Sequence, residues 1–179
     1  MAHTEKTIES QTLYQGKIIE VRKDKAELEN GQKATRELVV HHGGVGVAAI
    51  DSQDRILLVK QFRYAPKEEL LEIPAGKKEL GEDPRECGIR ELEEECGCRA
   101  GHFEKLTEIY PTPAYCTEVT YIYYAEDLQE TSQNLDQGEF LDVLRIDFNK
   151  ALEMVLSGEI KDAKTQVAIL NLAAKRAAK

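Results

Sequence analysis

The sequence predicts an α+β protein, an α/β/α sandwich with a mixed β-sheet and a small β-hairpin subdomain at the N-terminus. Short β-like segments recur along most of the chain, only a few segments have helical character, and one of those helices lies centrally. Many strands combined with few helices are typical of this class. The length of 179 residues fits one domain of ordinary size with a small extension.

The N-terminal hairpin is predicted from two β-like segments, residues 17–28 and 35–41, on either side of Asn30-Gly31. Both turn residues tolerate positive φ, so Asn-Gly between such segments favours a tight turn. Further along the chain, strands are predicted at residues 45–50, 55–62, 70–73, 103–110, 119–124 and 140–146.

The central helix is predicted over residues 84–96 because residues typical of a helix start precede it and a residue typical of a helix end follows it. Asp83 suits the N-cap, Pro84 suits the first helical position, and Gly97 suits the left-handed position after the last turn. Two more helices are predicted at residues 149–156 and 163–178.

Composition excludes several classes of function. The net charge of −9 argues against nonspecific binding to nucleic acid, which requires a basic surface. No window approaches the roughly 18 apolar residues of a membrane-spanning helix, and the polar N-terminus does not resemble a secretory signal. The four cysteines form no CxxC pair, so reduced thiols in a cytoplasmic protein are expected, with zinc binding as the weaker alternative.

The central helix carries three glutamates on one face. Glu91 and Glu95 are one turn apart, and Glu94 lies beside them. Like charges at this spacing repel each other, and a hard divalent cation that accepts oxygen ligands removes the repulsion. A solvated acidic surface is the alternative interpretation of the same residues.

A longer pattern around these glutamates distinguishes the two interpretations. It resembles the Nudix box, G-x5-E-x7-R-E-U-x-E-E-x-G-U, in which U is a bulky apolar residue. Every fixed position matches, although Cys98 is smaller than the customary Ile, Leu or Val. The matching positions are Gly76, Glu82, Arg90, Glu91, Leu92, Glu94, Glu95, Gly97 and Cys98.

The resemblance is strongest to the ADP-ribose pyrophosphatase branch of the Nudix hydrolases. It implies hydrolysis of ADP-ribose to AMP and ribose 5-phosphate with Mg²⁺ or Mn²⁺. It also implies a homodimer, with residues 1–42 as a dimerisation and substrate subdomain and residues 43–179 as the hydrolase domain. The segments that resemble this branch are Arg36-Glu37, Lys60-Gln61-Phe62-Arg63, Leu71-Glu72-Ile73-Pro74-Ala75-Gly76, Thr112-Pro113-Ala114 and Asp162-Ala163-Lys164-Thr165.

The resemblance also implies roles for individual residues. The metal ligands would be the Ala75 carbonyl together with Glu91, Glu94, Glu95 and Glu139, of which Glu94 and Glu139 are the catalytic candidates. Gly76, Glu82, Arg90 and Gly97 would have structural roles within the motif. The expected substrate contacts are Arg36, Glu37, Arg63, Glu72, Thr112, Pro113, Ala114 and Glu118.

The acidic loop before residue 140 departs from the family pattern. Relatives carry an acidic residue where this chain has Gln137, and a glutamine cannot accept a proton as a general base. Glu139 is therefore the preferred base or ligand, with Asp136 in reserve. Two alternatives stay open: another nucleoside diphosphate sugar such as GDP-mannose as substrate, and a nucleotide-binding module that has lost catalysis.

Overall fold

The computed structural model describes residues 3–178. The first part of the chain contains β1 (Lys6–Gln15), β2 (Ile19–Glu27), β3 (Lys33–His41), β4 (Gly44–Ala49), β5 (Arg55–Arg63), β6 (Glu68–Glu72) and β7 (Ala75–Lys77). The second part contains α1 (Pro84–Cys96), β8 (Cys98–Ile109), β9 (Thr120–Glu130), β10 (Leu141–Asp147), α2 (Phe148–Leu156) and α3 (Ala163–Ala177).

The chain divides into two compact units. The first comprises the residues up to Gly43 together with Tyr110–Val119, and the second comprises Gly44–Ile109 and the residues from Thr120 onwards. The sequence analysis assigned residues 110–119 to the hydrolase domain, whereas the structure groups them with the N-terminal strands.

The first unit is an antiparallel sheet in the order β1-β2-β3. The loop between Tyr110 and Val119 joins it through β3, because the Val39 N–H donates to the Tyr115 carbonyl at 2.7 Å and the Thr117 N–H donates to the Val39 carbonyl at 3.0 Å. The predicted hairpin between β2 and β3 is present. β1 was not predicted from the sequence, and its residues are exposed along its whole length.

The second unit contains two sheets, in the orders β7-β4-β9-β8 and β10-β5-β6. β4 pairs in parallel with β9 and antiparallel with β7, so the first of these sheets is mixed. Alternate residues of β4 serve two separate cores. Val45 and Val47 pack in the core that contains Leu92 of α1, whereas Ala48 packs in the core that contains α2 and α3. Helices therefore lie on opposite sides of the mixed sheet, which confirms the predicted sandwich.

The central helix has the predicted bounds and caps. The Asp83 side chain accepts hydrogen bonds from the backbone N–H groups of Arg85 and Glu86, and Pro84 occupies the first turn. Gly97 has a φ of 60° and its N–H donates to the Glu93 carbonyl at 2.9 Å. These local signals fix the residues at which α1 begins and ends.

No helix within residues 3–178 combines the length and the apolar character that crossing a membrane requires.

Candidate active site

The site is built on the face of α1 that packs against β7. Glu95 is 1% exposed and its carboxylate accepts a hydrogen bond of 2.8 Å from the Ala75 N–H, so the helix and the strand meet through this side chain. Leu92 anchors the same helix in the core. The Ala75 backbone and Glu95 are therefore in direct contact, while the ligand role of the Ala75 carbonyl stays a prediction.

Gly76 makes room for the neighbouring carboxylate. A Cβ atom at this position would lie 1.9 Å from Cδ and Oε1 of Glu91, so the Glu91 carboxyl group would have to move away. The backbone of Gly76 does not have a positive φ, whereas Gly81 in the following loop has a φ of 83°. The requirement at Gly76 is thus for space beside Glu91, and the conformational freedom of the loop comes from Gly81.

Burial and like charge act together on the glutamates. Burial is the main cause that raises the pKa of Glu95 to about 8; the negative charges of Glu91 and Glu139 contribute to this shift, and the hydrogen bond from Ala75 opposes it. Burial also raises the pKa of Glu91, with Glu94 and Glu139 adding to the effect while Arg90 opposes it. The negative charge of Glu139 therefore acts on both Glu91 and Glu95.

The loop that carries Glu139 is attached to the C-terminal end of α1. The Gln133 side chain donates to the Glu95 carbonyl at 2.7 Å, and the Asn134 N–H donates to the Glu94 carbonyl at 2.9 Å. A turn then follows in which the Glu139 N–H donates to the Asp136 carbonyl at 3.0 Å. The backbone of α1 thus helps to set where the loop runs.

Arg90 connects the other acidic residues of the motif. Its guanidinium lies 2.8 Å from Glu91, 2.9 Å from Glu94 and 3.2 Å from Glu82. Burial opposes the charge on Arg90, but these carboxylates together raise the pKa of its guanidinium. The contacts are those expected of a residue that orients glutamates, and its structural role stays a prediction.

The donor set fits a hard divalent cation. Carboxylate and carbonyl oxygens are the ligands that Mg²⁺ and Mn²⁺ prefer, and a cation would relieve the repulsion among the neighbouring glutamates of α1. Within residues 3–178, no group of three or more acidic, histidine or cysteine side chains is already arranged as a ligand cluster. Arg90 holds Glu91 and Glu94 in this arrangement, so binding of a cation by these two residues competes with the guanidinium.

A second charged cluster lies at the end of β6. Glu72 is 1% exposed and accepts two hydrogen bonds from Arg63, at 2.5 and 2.7 Å, and a third from Lys164. Burial acts to raise the pKa of Glu72, but Arg63 and Lys164 outweigh it and hold the pKa below its usual range. Arg63, an expected substrate contact, is thus committed to Glu72. The sequence analysis assigned no role to Lys164.

The remaining expected substrate contacts belong to the N-terminal unit. Arg36 forms an ion pair with Glu5 at 2.6 Å. A cavity of about 650 Å³ brings Arg36 and Glu37 together with Ala114 and with Tyr115, which the sequence analysis did not select. A tight turn begins at Thr112, whose carbonyl accepts a hydrogen bond from the Tyr115 N–H at 3.3 Å. Pro113 lies within that turn, and Glu118 follows it, outside the residues that line the cavity.

Two family models match the chain over most of its length. The NUDIX domain model matches residues 40–165, and the nucleoside diphosphate sugar hydrolase N-terminal domain model matches residues 5–39. The chain belongs to the Nudix family. The predicted family and the prediction of a Nudix pyrophosphohydrolase are confirmed, and hydrolases of this family generally use divalent metal ions.

The chain is also similar to individual proteins. A Bacillus subtilis (strain 168) protein named ADP-ribose pyrophosphatase is 41% identical over 97% of this chain and 95% of its own length. A Bacillus methanolicus protein named methanol dehydrogenase activator is 37% identical over 98% of this chain and 96% of its own length. A solved structure described as an ADP compounds hydrolase shares the fold, with a TM-score of 0.86, 20% identity, and coverage of 99% of this chain and 97% of that one.

The Glu72 cluster makes a testable contribution to stability. A carboxyl whose pKa is lowered by folding stabilises the folded state above its ordinary pKa of 4.5, and this stabilisation is lost as the pH falls through the folded pKa. We expect Glu72→Gln to lower the free energy of unfolding by about 2 kcal/mol at pH 7, with a smaller difference from the parent below pH 4.5. Urea denaturation across this pH range measures it.

Glu69→Gln is the matched control on the same strand. Glu69 pairs with Lys60 at 2.6 Å, but its side chain is 54% exposed. Its substitution should therefore change the free energy of unfolding by less than about 0.5 kcal/mol at either pH. Equal effects of the two substitutions would show that burial of Glu72 between Arg63 and Lys164 has no energetic consequence.

Proposed function

We propose that this chain hydrolyses the diphosphate of ADP-ribose to AMP and ribose 5-phosphate, with Mg²⁺ or Mn²⁺ as its cofactor. The observation that carries the proposal is the buried Glu95 together with the partly buried Glu91, both packed between α1 and β7. A protein of net charge −9 needs a cationic partner before it can hold a diphosphate against carboxylates. The names of relatives from Bacillus subtilis and Mycobacterium tuberculosis support ADP-ribose as the substrate.

The residues have separable roles in this reaction. Glu91, Glu94, Glu95 and the Ala75 carbonyl would hold the cation. When bound, the cation supplies charge neutralisation at the phosphoryl oxygens and Lewis acidity. Before the cation binds, Arg90 keeps Glu91 and Glu94 oriented through its contacts with them.

Glu139 is proposed to accept the proton of the attacking water. The negative charge of Glu139 raises the pKa of both Glu91 and Glu95, which supports placing the loop that carries Glu139 in the same site. Gln137 in the same loop cannot accept a proton at neutral pH.

The N-terminal unit is proposed to bind the nucleoside. Its cavity of about 650 Å³ falls in the size range of small-molecule sites. Arg36 and Tyr115 line it together, and a guanidinium and an aromatic ring both stack on a planar base. Glu37 and Ala114 complete the polar and apolar lining.

We further propose a cytoplasmic homodimer in which β1 takes part in the interface. β1 is the edge strand of its sheet, and Ile8, Leu13 and Tyr14 are 41%, 55% and 57% exposed. A long, exposed edge strand invites pairing with a second chain. The four cysteines are free thiols, which supports a reducing compartment.

A substrate panel with Mg²⁺ tests the proposed reaction. We expect ADP-ribose to be cleaved to AMP and ribose 5-phosphate with a kcat/KM about tenfold or more above those for GDP-mannose, UDP-glucose, NADH and 8-oxo-dGTP. Chromatography of the products measures it. A preference for GDP-mannose, the substrate named for relatives 33% identical to this chain, would replace the proposal by the alternative. Binding of ADP-ribose without turnover would favour a module that has lost catalysis.

A pair of variants tests the metal-binding assignment. Glu95→Gln keeps the shape of the buried side chain and its acceptor for the Ala75 N–H, but removes the charge. We expect kcat to fall by about 100-fold or more, since even the outer partners of metal ligands commonly contribute 10–100-fold. Glu93→Gln is the control, because Glu93 lies on the same helix and pairs with Arg99 at 2.8 Å. It should keep parental turnover, and comparable losses in both variants would contradict the assignment.

The proton-accepting role of Glu139 is tested against its neighbour in the loop. Glu139→Gln should lower kcat by about 100-fold, the lower range for loss of a general base, because the amide cannot take a proton. Gln137→Ala should change kcat by less than about threefold, because no proton transfer is assigned to Gln137. Steady-state kinetics at saturating Mg²⁺ measure both, and equally small effects would place the base elsewhere.

A further inference from the structure

A buried threonine at the start of α3 holds the segment between β6 and β7. Thr165 has no exposed surface, and its Oγ1 accepts a hydrogen bond of 2.8 Å from the Ile73 N–H. The same hydroxyl donates to the Asp162 carboxylate at 2.6 Å. The contact joins residues 92 positions apart in the sequence.

The geometry of the hydroxyl is fixed by the helix cap. Asp162 is the N-cap of α3 and also accepts from the Thr165 N–H at 2.9 Å. A hydroxyl has a single hydrogen, and here it goes to Asp162, so its lone pairs are available to the Ile73 N–H. The cap therefore orients Thr165 as an acceptor, and no other arrangement of this hydroxyl would satisfy both partners.

The two residues after Ile73 are held by other elements. The Pro74 carbonyl accepts from the Val47 N–H of β4 at 2.8 Å, and the Ala75 N–H donates to Glu95 of α1 at 2.8 Å. Three consecutive residues are thus fixed by α3, β4 and α1 in turn. Loss of the first of these bonds removes the contact with α3, whereas the bonds of Pro74 and Ala75 to β4 and α1 remain.

We propose that Thr165 is a positioning residue that fixes the direction of the Ala75 carbonyl toward the cation held by Glu91 and Glu95. The inference rests on the proposed function, since it takes Ala75 as a metal ligand. Thr165 does not touch the substrate or the cation in this proposal. It acts through the backbone of Ile73 and Pro74, whose planar peptide groups transmit the constraint to Ala75.

Direct measurement of Mn²⁺ binding to the metal-free chain, without substrate, tests this role. We expect Thr165→Val, which keeps the volume and removes the hydroxyl, to raise the Mn²⁺ dissociation constant about tenfold, the lower end of the effect of partners that orient metal ligands. Thr165→Ser, which keeps the hydroxyl, should stay within about twofold of the parent. Electron paramagnetic resonance of free Mn²⁺ gives both values.

Turnover provides the second readout. Thr165→Val should lose ADP-ribose hydrolysis at limiting Mn²⁺ and recover most of kcat at saturating Mn²⁺, with an unchanged KM for ADP-ribose. A merely structural defect would lower the active fraction at every Mn²⁺ concentration. If Thr165→Val does not fold, Thr165→Ala carries the same comparison, since the smaller side chain leaves room for a water beside Ile73.

Two core variants of α3 control for general destabilisation. Ile169 and Leu172 are buried in the same cluster as Ile73 but form no bond to the segment between β6 and β7. Ile169→Val should lower the melting temperature less than Thr165→Val does, and Leu172→Ala should lower it more. Both control variants should bind Mn²⁺ with the affinity of the parent.

Parental Mn²⁺ affinity in Thr165→Val, or an equal loss in the core variants, would overturn the inference. Failure of the proposed function is separate: it would appear as absence of ADP-ribose turnover by a parent chain that binds Mn²⁺.

Discussion

Burial of acidic side chains between α1 and β7 is the constraint on which the rest of the second unit depends. Glu95 is almost completely withdrawn from solvent, and the carboxylate of Glu91 occupies the space that a side chain at position 76 would need. A folded chain keeps such charges only where hydrogen bonds and opposite charges are supplied. The Ala75 N–H and the Arg90 guanidinium supply them here, which ties both the strand and the helix to the carboxylates.

Local signals in the sequence were sufficient for the central helix. Asp83, Pro84 and Gly97 act within one turn of the helix ends, so their meaning does not depend on the rest of the fold. The shared face of Glu91 and Glu95 follows from helical spacing alone. Strand β1 could not be recognised in the same way, because its residues are exposed on both faces and show no alternation of apolar and polar side chains.

Contacts between distant parts of the chain could not be predicted from the sequence patterns. Nothing near Glu72 indicates that Lys164 will neutralise it, and nothing near Ile73 indicates that Thr165 will accept its N–H, since each pair is 92 residues apart. For Gly76, the sequence predicted the position but not the physical reason for a glycine. That reason, space for Glu91, depends on how closely β7 approaches α1.

The loop of Tyr110–Val119 makes the N-terminal unit discontinuous in sequence, because β3 binds a segment that lies between two strands of the other unit. A single crossover in the gene near residue 43 would exchange β1, β2 and β3 but leave the bonding partner of Val39 behind. Recombination between relatives must therefore carry two separate stretches together to keep this unit intact. The arrangement couples the inheritance of the N-terminal strands to that of the hydrolase region in which the loop is embedded.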